Sequence, residues 1–271
     1  MGKVTKISLI IAGILFAGFV LYSSFRSTND VVQNEPTLSV VPDVPFTYPR
    51  PYCALIFDDL GSSLQEVRSL YDLNIPLTIS VFPHEKFSKN IAYIGHRCGF
   101  SVLVHLPMEP KNEIASYKRV KANFIGAHHS RRENEYLLRK YMNSFRVAMG
   151  ANNHMGSKAT EDPQIMQLVL GYMRRENMLF IDSLTSLDSI ACEVAGQVGV
   201  RCRRNDGFLD AVDDPQVIKE KIEKLIAIAR EKGKIIVIAH PRGNTLNVLN
   251  ELLPVLKDQL QFVTLKEYLE L

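Results

Sequence analysis

Tryptophan is absent from the chain, so the side chain that most often stacks on sugar rings is missing, although ten tyrosines can take that role. No Cys-x-x-Cys pair occurs, which argues against a zinc site built from thiolates. A basic stripe is lacking as well, since Lys3 and Lys6 supply two of the three net positive charges. These absences leave a carbohydrate ligand open and give nucleic-acid binding little support.

The N-terminal part of the chain carries a targeting signal. Residues 7–24 read ISLIIAGILFAGFVLYSS, an uncharged run of about 18 residues, which is near the lower limit for a membrane-spanning helix. Because Lys3 and Lys6 precede this run, the positive-inside rule places the N-terminus in the cytoplasm and the rest of the chain outside. Residues 1–25 are therefore predicted to be a membrane anchor, with a cleaved signal segment as the alternative.

The rest of the chain divides into a linker and a folded domain. Residues 26–51 are polar and hold five prolines, a composition typical of an extended spacer. Residues 52–271 are expected to form the domain. The chain is 46% hydrophobic, which is enough for a sizeable core.

Four cysteines lie in this predicted exported part: Cys53, Cys98, Cys192 and Cys202. Buried free thiols are the favoured interpretation for all four. Cys192 and Cys202 are nevertheless close enough in sequence to form a disulfide if the compartment is oxidising.

Short apolar runs alternate with longer amphipathic ones along the domain. The apolar runs, read as strands, are Cys53–Asp58, Leu77–Phe82, Ser101–His105, Val147–Asn152, Leu179–Ser183, Val200–Arg203, Ile235–His240 and Phe262–Leu265. The amphipathic runs, read as helices, are Leu64–Leu73, Lys86–Cys98, Glu133–Phe145, Pro163–Glu176, Ser189–Val198, Pro215–Lys232 and Thr245–Asp258. This alternation predicts an α/β fold with a parallel sheet. Seven or eight such units favour a (β/α) barrel, with an open doubly wound sheet as the alternative.

Acidic and imidazole side chains occur where the predicted strands end. In either architecture the carboxyl ends of the strands form the ligand-binding edge. Six strands that deliver such residues to one edge are difficult to explain by packing alone. The residues are Asp58, Asp59, His105, Asn153, His154, Asp182, Asp206 and His240.

Asp58 and Asp59 form the most informative pair. Neighbouring side chains of a strand face opposite ways, so both carboxylates reach one site only if the strand stops there, and Leu60-Gly61 provides a turn. Two crowded carboxylates repel each other unless a cation lies beside them. The alternative is that Asp59 or Ser62 simply caps the next helix.

The histidines indicate a metal site only in combination with the aspartates. A lone histidine at a strand end is more often a hydrogen-bonded core residue than a ligand, and this applies singly to His105, His154 and His240. Together with an aspartate, two neutral imidazoles form a common zinc-type ligand set that leaves positions open for water and substrate.

Several motifs resemble, in order, those of the divergent polysaccharide deacetylases. They are FDDLG, HLPMEP, NNHMGS, the DS pair at 182–183 and AHPRGNT, and the resemblance covers residues 52–271. It implies a distorted (β/α) barrel and a metal-dependent hydrolase of the bacterial envelope. The domain would then lie on the extracytoplasmic side of the inner membrane, or in the periplasm or medium after signal cleavage.

The resemblance also implies roles for individual residues. Asp58 would act as the catalytic base, Asp59 would bind the metal, and His240 would act as the acid. The family's second motif has two histidines in HxxxH spacing, whereas this chain has His105 followed by Glu109.

The third metal ligand is therefore open, with His154 preferred and Glu109 second. Asp182 is expected to orient an imidazole. The family's arginine-containing motif is absent, and NNHMGS occupies its place.

The implied reaction is removal of N-acetyl groups from envelope polysaccharide or peptidoglycan-type amino sugars, with a divalent metal, for which zinc is the expectation. The substrate partner would be an N-acetylated glycan. One alternative is a catalytically inactive glycan- or protein-binding module on the same barrel. Another metal-dependent esterase or phosphoesterase ranks last, because no phosphate-cradling glycine loop is present.

Overall fold

The computed structural model describes residues 49–112 and 120–271. Parallel strands alternate with helices through this part of the chain. The strands are β1 (Tyr52–Leu60), β2 (Thr78–Val81), β3 (Ser101–Met108), β4 (Gly150–Met155), β5 (Leu179–Asp182), β6 (Cys202–Arg204), β7 (Gly207–Phe208), β8 (Lys234–Ala239) and β9 (Gln261–Val263). The helices are α1 (Leu64–Asp72), α2 (Ser88–Arg97), α3 (Arg131–Met142), α4 (Pro163–Arg175), α5 (Ala191–Val198), α6 (Pro215–Lys232), α7 (Gly243–Gln259) and α8 (Leu265–Tyr268).

The sheet curls into a distorted (β/α) barrel, as predicted. Its strand order is β6-β5-β4-β3-β2-β1-β8-β7, every pair is parallel, and β9 adds to the first residues of β1. The seam falls between β6 and β7. There the Asn205 N–H donates to Asp182 O on one edge at 2.9 Å, and the Asp206 N–H donates to Ile236 O on the other at 2.8 Å. Two consecutive residues thus connect the two edges of the curled sheet.

Alternate residues of each strand face opposite layers of the core. On β1, Ala54 and Ile56 belong to the inner cluster, whereas Leu55 and Phe57 pack in the outer cluster with the helices. Helix α8 contributes to the inner cluster, whose buried members are Ala54, Ile56, Leu103, Leu179, Ile181, Ile236, Ile238, Val263, Leu265 and Tyr268. Period-two alternation continues the inward rows toward the carboxyl ends of the strands. The next inward positions after Ile56, Leu103 and Ile238 are therefore Asp58, His105 and His240.

The helix boundaries follow their capping residues. Asp162 and Asp214 accept backbone N–H bonds at the starts of α4 and α6, each followed by proline as the first helical residue. Gly233 ends α6 with a left-handed backbone, φ 77°. These caps fix where the long helices begin and end against the outer face of the sheet.

Several elements differ from the sequence-based expectation, and β3, for example, runs to Met108 instead of ending at His105. Strand β1 continues through Asp59 to Leu60 rather than stopping at Asp58, and β4 lies three residues later than predicted. The two-residue strand β7 was not predicted, because so short a segment has no detectable periodicity. Because β7 is not predicted, the sequence does not place Asp210, which follows this strand, beside His240.

Cys192 and Cys202 form a disulfide, with Cα atoms 5.2 Å apart. The favoured expectation of buried free thiols is thus wrong for this pair and right for Cys53, whereas Cys98 is free but only half-buried. Gly199 ends α5 with a left-handed backbone, so β6 starts beside the first turn of that helix.

Thiol titration of the denatured, unreduced full-length chain should find two free thiols and, after reduction, four. The physical reason is that Cys192 and Cys202 are already bridged, whereas Cys53 and Cys98 are not. Four thiols before reduction would contradict the bridge.

The predicted membrane anchor, residues 1–25, lies outside the described residues, as does most of the linker. Within residues 49–112 and 120–271, the structure contains no helix with the length and apolar character required to cross a bilayer.

Candidate metal centre

A β-bulge in β1 brings the two adjacent aspartates to one site. The pairing of β1 with β2 shifts register between Phe57 and Leu60, and Asp59 has a left-handed backbone, φ 65°. Asp58 keeps the inward orientation of Ile56. The positive φ turns the Asp59 carboxylate to the same end of the barrel instead of the opposite face. The strand therefore need not stop for both carboxylates to converge.

Asp59, His105 and His154 converge on one point. Asp59 Oδ1 lies 3.0 Å from His105 Nε2 and 3.1 Å from His154 Nδ1, and the two ring nitrogens are 3.1 Å apart. Asp59 Oδ1 is buried, yet it has no partner with hydrogen-bond geometry in the described part of the chain. The Asp59 oxygen is thus left without a hydrogen bond beside two ring nitrogens that are within hydrogen-bond distance of each other, and the three atoms form a group that could hold a metal ion.

This arrangement fits a metal ion. Bonds of about 2.0–2.1 Å at tetrahedral angles place ligand atoms roughly 3.3 Å apart, close to the spacing of this triad. Three donors from three strand ends leave at least one position for water or substrate. The residues present therefore fit a divalent cation, and the nitrogen and oxygen donors suit zinc.

Protonation of His105 competes with metal binding. Burial lowers the pKa of His105, but Asp58 and Asp59 outweigh burial and raise that pKa to about 9. For His154, burial outweighs Asp59 and lowers the pKa, so this ring is neutral and ready to bind. A metal ion must therefore displace a proton from His105, and metal affinity must fall as the pH falls.

Asp58 lies behind the triad and is almost fully buried, with 2% of its surface exposed. Burial raises its pKa, and the nearby His105 only partly opposes this effect. Its carboxylate accepts from Asn152 Nδ2 at 2.8 and 3.0 Å and lies 3.7 Å from His105 Nδ1. It is a buried carboxylate of increased basicity on the Nδ1 side of the His105 ring.

His240 stands on the other side of Asp59, with its Nε2 3.7 Å from Asp59 Oδ2. Its Nδ1 lies 2.8 Å from Asp210 Oδ1, while Asp210 Oδ2 accepts from the His240 N–H and the Thr245 hydroxyl. Burial lowers the pKa of His240, but the bond to Asp210 outweighs it and raises that pKa. Asp210 therefore orients His240 with Nε2 facing the site.

Asp210 takes the role expected of Asp182, which is a correction to the sequence-based assignment. Ile181 faces inward on β5, so Asp182 faces outward; its carboxylate accepts from the Ser189 hydroxyl and the Leu184 N–H at 2.8 and 2.9 Å. Asp210 went unnoticed because it follows the unpredicted strand β7.

Glu109, the second choice for the third ligand, is engaged elsewhere. Its carboxylate binds Lys158 Nζ at 2.8 Å and accepts the Ala127 N–H at 2.6 Å. A Cβ at Gly126 would lie only 2.4 Å from Glu109 Cβ, so the chain passes very close to this residue. Glu109 thus holds loops beside the site, and the residues grouped so that they could hold a metal ion are Asp59, His105 and His154.

Aromatic rings pack against the imidazoles. The ring of Phe82 lies edge-on to His105 and His154, with centroids 4.9 and 4.7 Å away. Phe124 contacts His154 at 5.9 Å, and Phe208 stacks on His240 at 6.5 Å. Three phenylalanine rings thus pack against the imidazoles of the site.

Replacing Asp210 with asparagine should lower the pKa of His240, because the carboxylate that favours the imidazolium is lost. An NMR pH titration of His240 measures this shift. Asp182→Asn is the matched control, since Asp182 is an equally buried carboxylate with other partners. An equal fall of the His240 pKa in both variants would contradict the assignment.

Comparison with known proteins identifies a family and relatives of this chain. Residues 55–269 match the family described as divergent polysaccharide deacetylase. An uncharacterised protein of Haemophilus influenzae is 28% identical over 218 residues, which cover 80% of this chain and 76% of that protein. The uncharacterised protein YibQ of Escherichia coli K12 is 31% identical over 199 residues, 73% of this chain and 61% of that one.

The fold has a counterpart among solved structures. An uncharacterised protein of Agrobacterium tumefaciens C58 superposes with a TM-score of 0.74 at 17% identity, over 82% of this chain and 90% of that one. The match to residues 55–269 spans every strand of the barrel except the first residues of β1. This chain belongs to the divergent polysaccharide deacetylase family.

Proposed function

We propose that this protein is a metal-dependent hydrolase that removes N-acetyl groups from envelope polysaccharide or peptidoglycan-type amino sugars. One observation carries the proposal: the Asp59–His105–His154 triad lies between a buried carboxylate, Asp58, and an imidazole, His240, that is oriented by its own carboxylate. This combination supplies a metal position, a base and an acid in one place. Membership of the deacetylase family supports the reaction class.

Asp59, His105 and His154 would hold the ion. When bound, a zinc ion supplies Lewis-acid polarisation of the amide carbonyl and lowers the pKa of water. The exposed side of the site admits the substrate, since the side chain of Asp59 is 34% exposed and that of His154 is 20% exposed.

Asp58 takes the proton from the attacking water. Its raised pKa makes it a stronger base than an exposed carboxylate, and Asn152 holds its two oxygens in place. His240 donates a proton to the departing amine, which becomes the free amino sugar while the acyl group leaves as acetate. The raised pKa of His240 favours the protonated form that this step requires.

We further propose that the domain works on the extracytoplasmic side of the inner membrane. The Cys192–Cys202 disulfide supports an oxidising compartment, and the uncharged run at residues 7–24 supports an anchor or a secretion signal.

The direct test is acetate release by the full-length chain from N-acetylglucosamine oligomers and from peptidoglycan fragments. Release should stop after a chelator removes the metal and return when zinc is added. A protein that binds zinc at the triad but releases no acetate from either substrate would overturn the proposal and favour a binding module.

A further inference from the structure

Asn152 occupies the inward position of β4 between the metal ligands and the base, and none of its surface is exposed. It pairs with His105 in the register of β3 and β4. Its side-chain oxygen lies 2.9 Å from His105 Nδ1 and also accepts from the Ser80 hydroxyl. Its side-chain nitrogen donates to both oxygens of Asp58 and lies 3.3 Å from Ser183 Oγ.

These contacts determine the orientation of the amide. The Asn152 NH₂ group donates to both oxygens of the Asp58 carboxyl group, and the Ser80 hydroxyl donates to the Asn152 carbonyl oxygen, so the two ends of the amide are assigned by their partners. The carbonyl oxygen of Asn152 is then left for His105 Nδ1, which must carry the proton of that hydrogen bond. In the neutral ring the lone pair is therefore on Nε2, the atom that faces Asp59 and His154.

We propose that Asn152 is the positioning residue that couples the metal ligand His105 to the base Asp58. One half of the amide selects the Nδ1–H tautomer of His105 and fixes its ring plane toward the metal position. The other half holds the Asp58 carboxylate beside that position. The base role of Asp58 rests on the proposed function, whereas the effect on His105 does not.

A buried asparagine that only satisfies neighbouring polar groups would give different results from this coupling. Asn152→Ala removes both the acceptor for His105 Nδ1 and the donor to Asp58. Asn152→Asp keeps an acceptor for His105 Nδ1 but directs a second carboxylate at Asp58, so it preserves one half and disrupts the other. Asn134→Ala is the matched control, because Asn134 is equally buried and its amide bonds the backbone of Gly126.

The experiment measures three quantities on the full-length variants: the ¹⁵N chemical shifts of His105 in the metal-free protein at a pH above its pKa of about 9, where the ring is neutral, the zinc affinity by chelator competition, and acetate release. Asn152→Ala should give His105 a mixture of tautomers and weaken zinc binding by roughly 10–100-fold, the usual effect of losing an outer partner of a ligand. Asn152→Asp should keep the Nδ1–H tautomer and bind zinc, yet lose acetate release by about 10-fold or more. Asn134→Ala should lower only the melting temperature.

If Asn152→Ala retains the tautomer and the zinc affinity of the wild type and merely melts earlier, as Asn134→Ala should, then Asn152 is structural and the proposal is wrong. Equal activity of Asn152→Asp and wild type would refute the coupling to Asp58. The tautomer and zinc readouts need no turnover, so an inactive wild type would refute the proposed function while these readouts still decide the role of Asn152.

Discussion

His105→Ala and His154→Ala should each weaken zinc binding by more than about 100-fold, because loss of an outer hydrogen-bond partner alone costs about 10–100-fold and a direct ligand contributes more. The two rings face Asp59 Oδ1 at 3.0 and 3.1 Å, and each offers a ring nitrogen to the ion, that of His105 after its proton is displaced. Zinc content and chelator competition on the full-length variants measure the effect. Circular dichroism confirms that each variant remains folded.

Two controls sharpen this result. His96→Ala removes an exposed histidine of α2 and should leave zinc affinity unchanged. Glu109→Ala should also retain the metal, because the Glu109 carboxylate binds Lys158 and Ala127. If Glu109→Ala loses zinc while His154→Ala keeps it, the triad is wrong and the HxxxE spacing provides the ligands instead.

The barrel and most of the site were predictable because both depend on period-two alternation. A buried parallel strand places every second residue on the inner face. His105 follows the inward Leu103, and His240 follows the inward Ile236 and Ile238. Once the strands are recognised, the sequence therefore predicts that both histidine side chains point to the inside of the barrel. The same rule, applied to Ile181, predicts that Asp182 points outward. Applied to β4, it places Asn152 on the inner face beside His105.

What could not be predicted depends on backbone irregularity and on strand register. The positive φ of Asp59 has no local signal, because aspartate adopts it without a glycine. Strand β7 is two residues long, so Asp210 could not be placed beside His240. The choice between His154 and Glu109 required the register of β3 with β4, in which His105 pairs with Asn152 and His154 lies two residues further along.

Asp58→Asn should retain zinc and lose acetate release by on the order of 10²–10⁴-fold, the contribution of a general base. The two aspartates are adjacent and chemically identical, but only Asp59 faces the His105 and His154 ring nitrogens at about 3 Å. Asp58 lies 3.7 Å from the opposite nitrogen of His105 and binds Asn152. Asparagine preserves its shape and removes the basic oxygen.

Asp59→Asn is the matched variant at the neighbouring position, and it should lose both zinc and hydrolysis, since a neutral amide is a poorer zinc ligand than a carboxylate. Zinc content measured beside acetate release separates the two roles. Equal loss of zinc in both variants would make Asp58 a ligand rather than the base. Wild-type rates in Asp58→Asn would mean that another group accepts the proton. Among the described residues, proton transfer would then be assigned only to His240, which Asp210 orients at 2.8 Å.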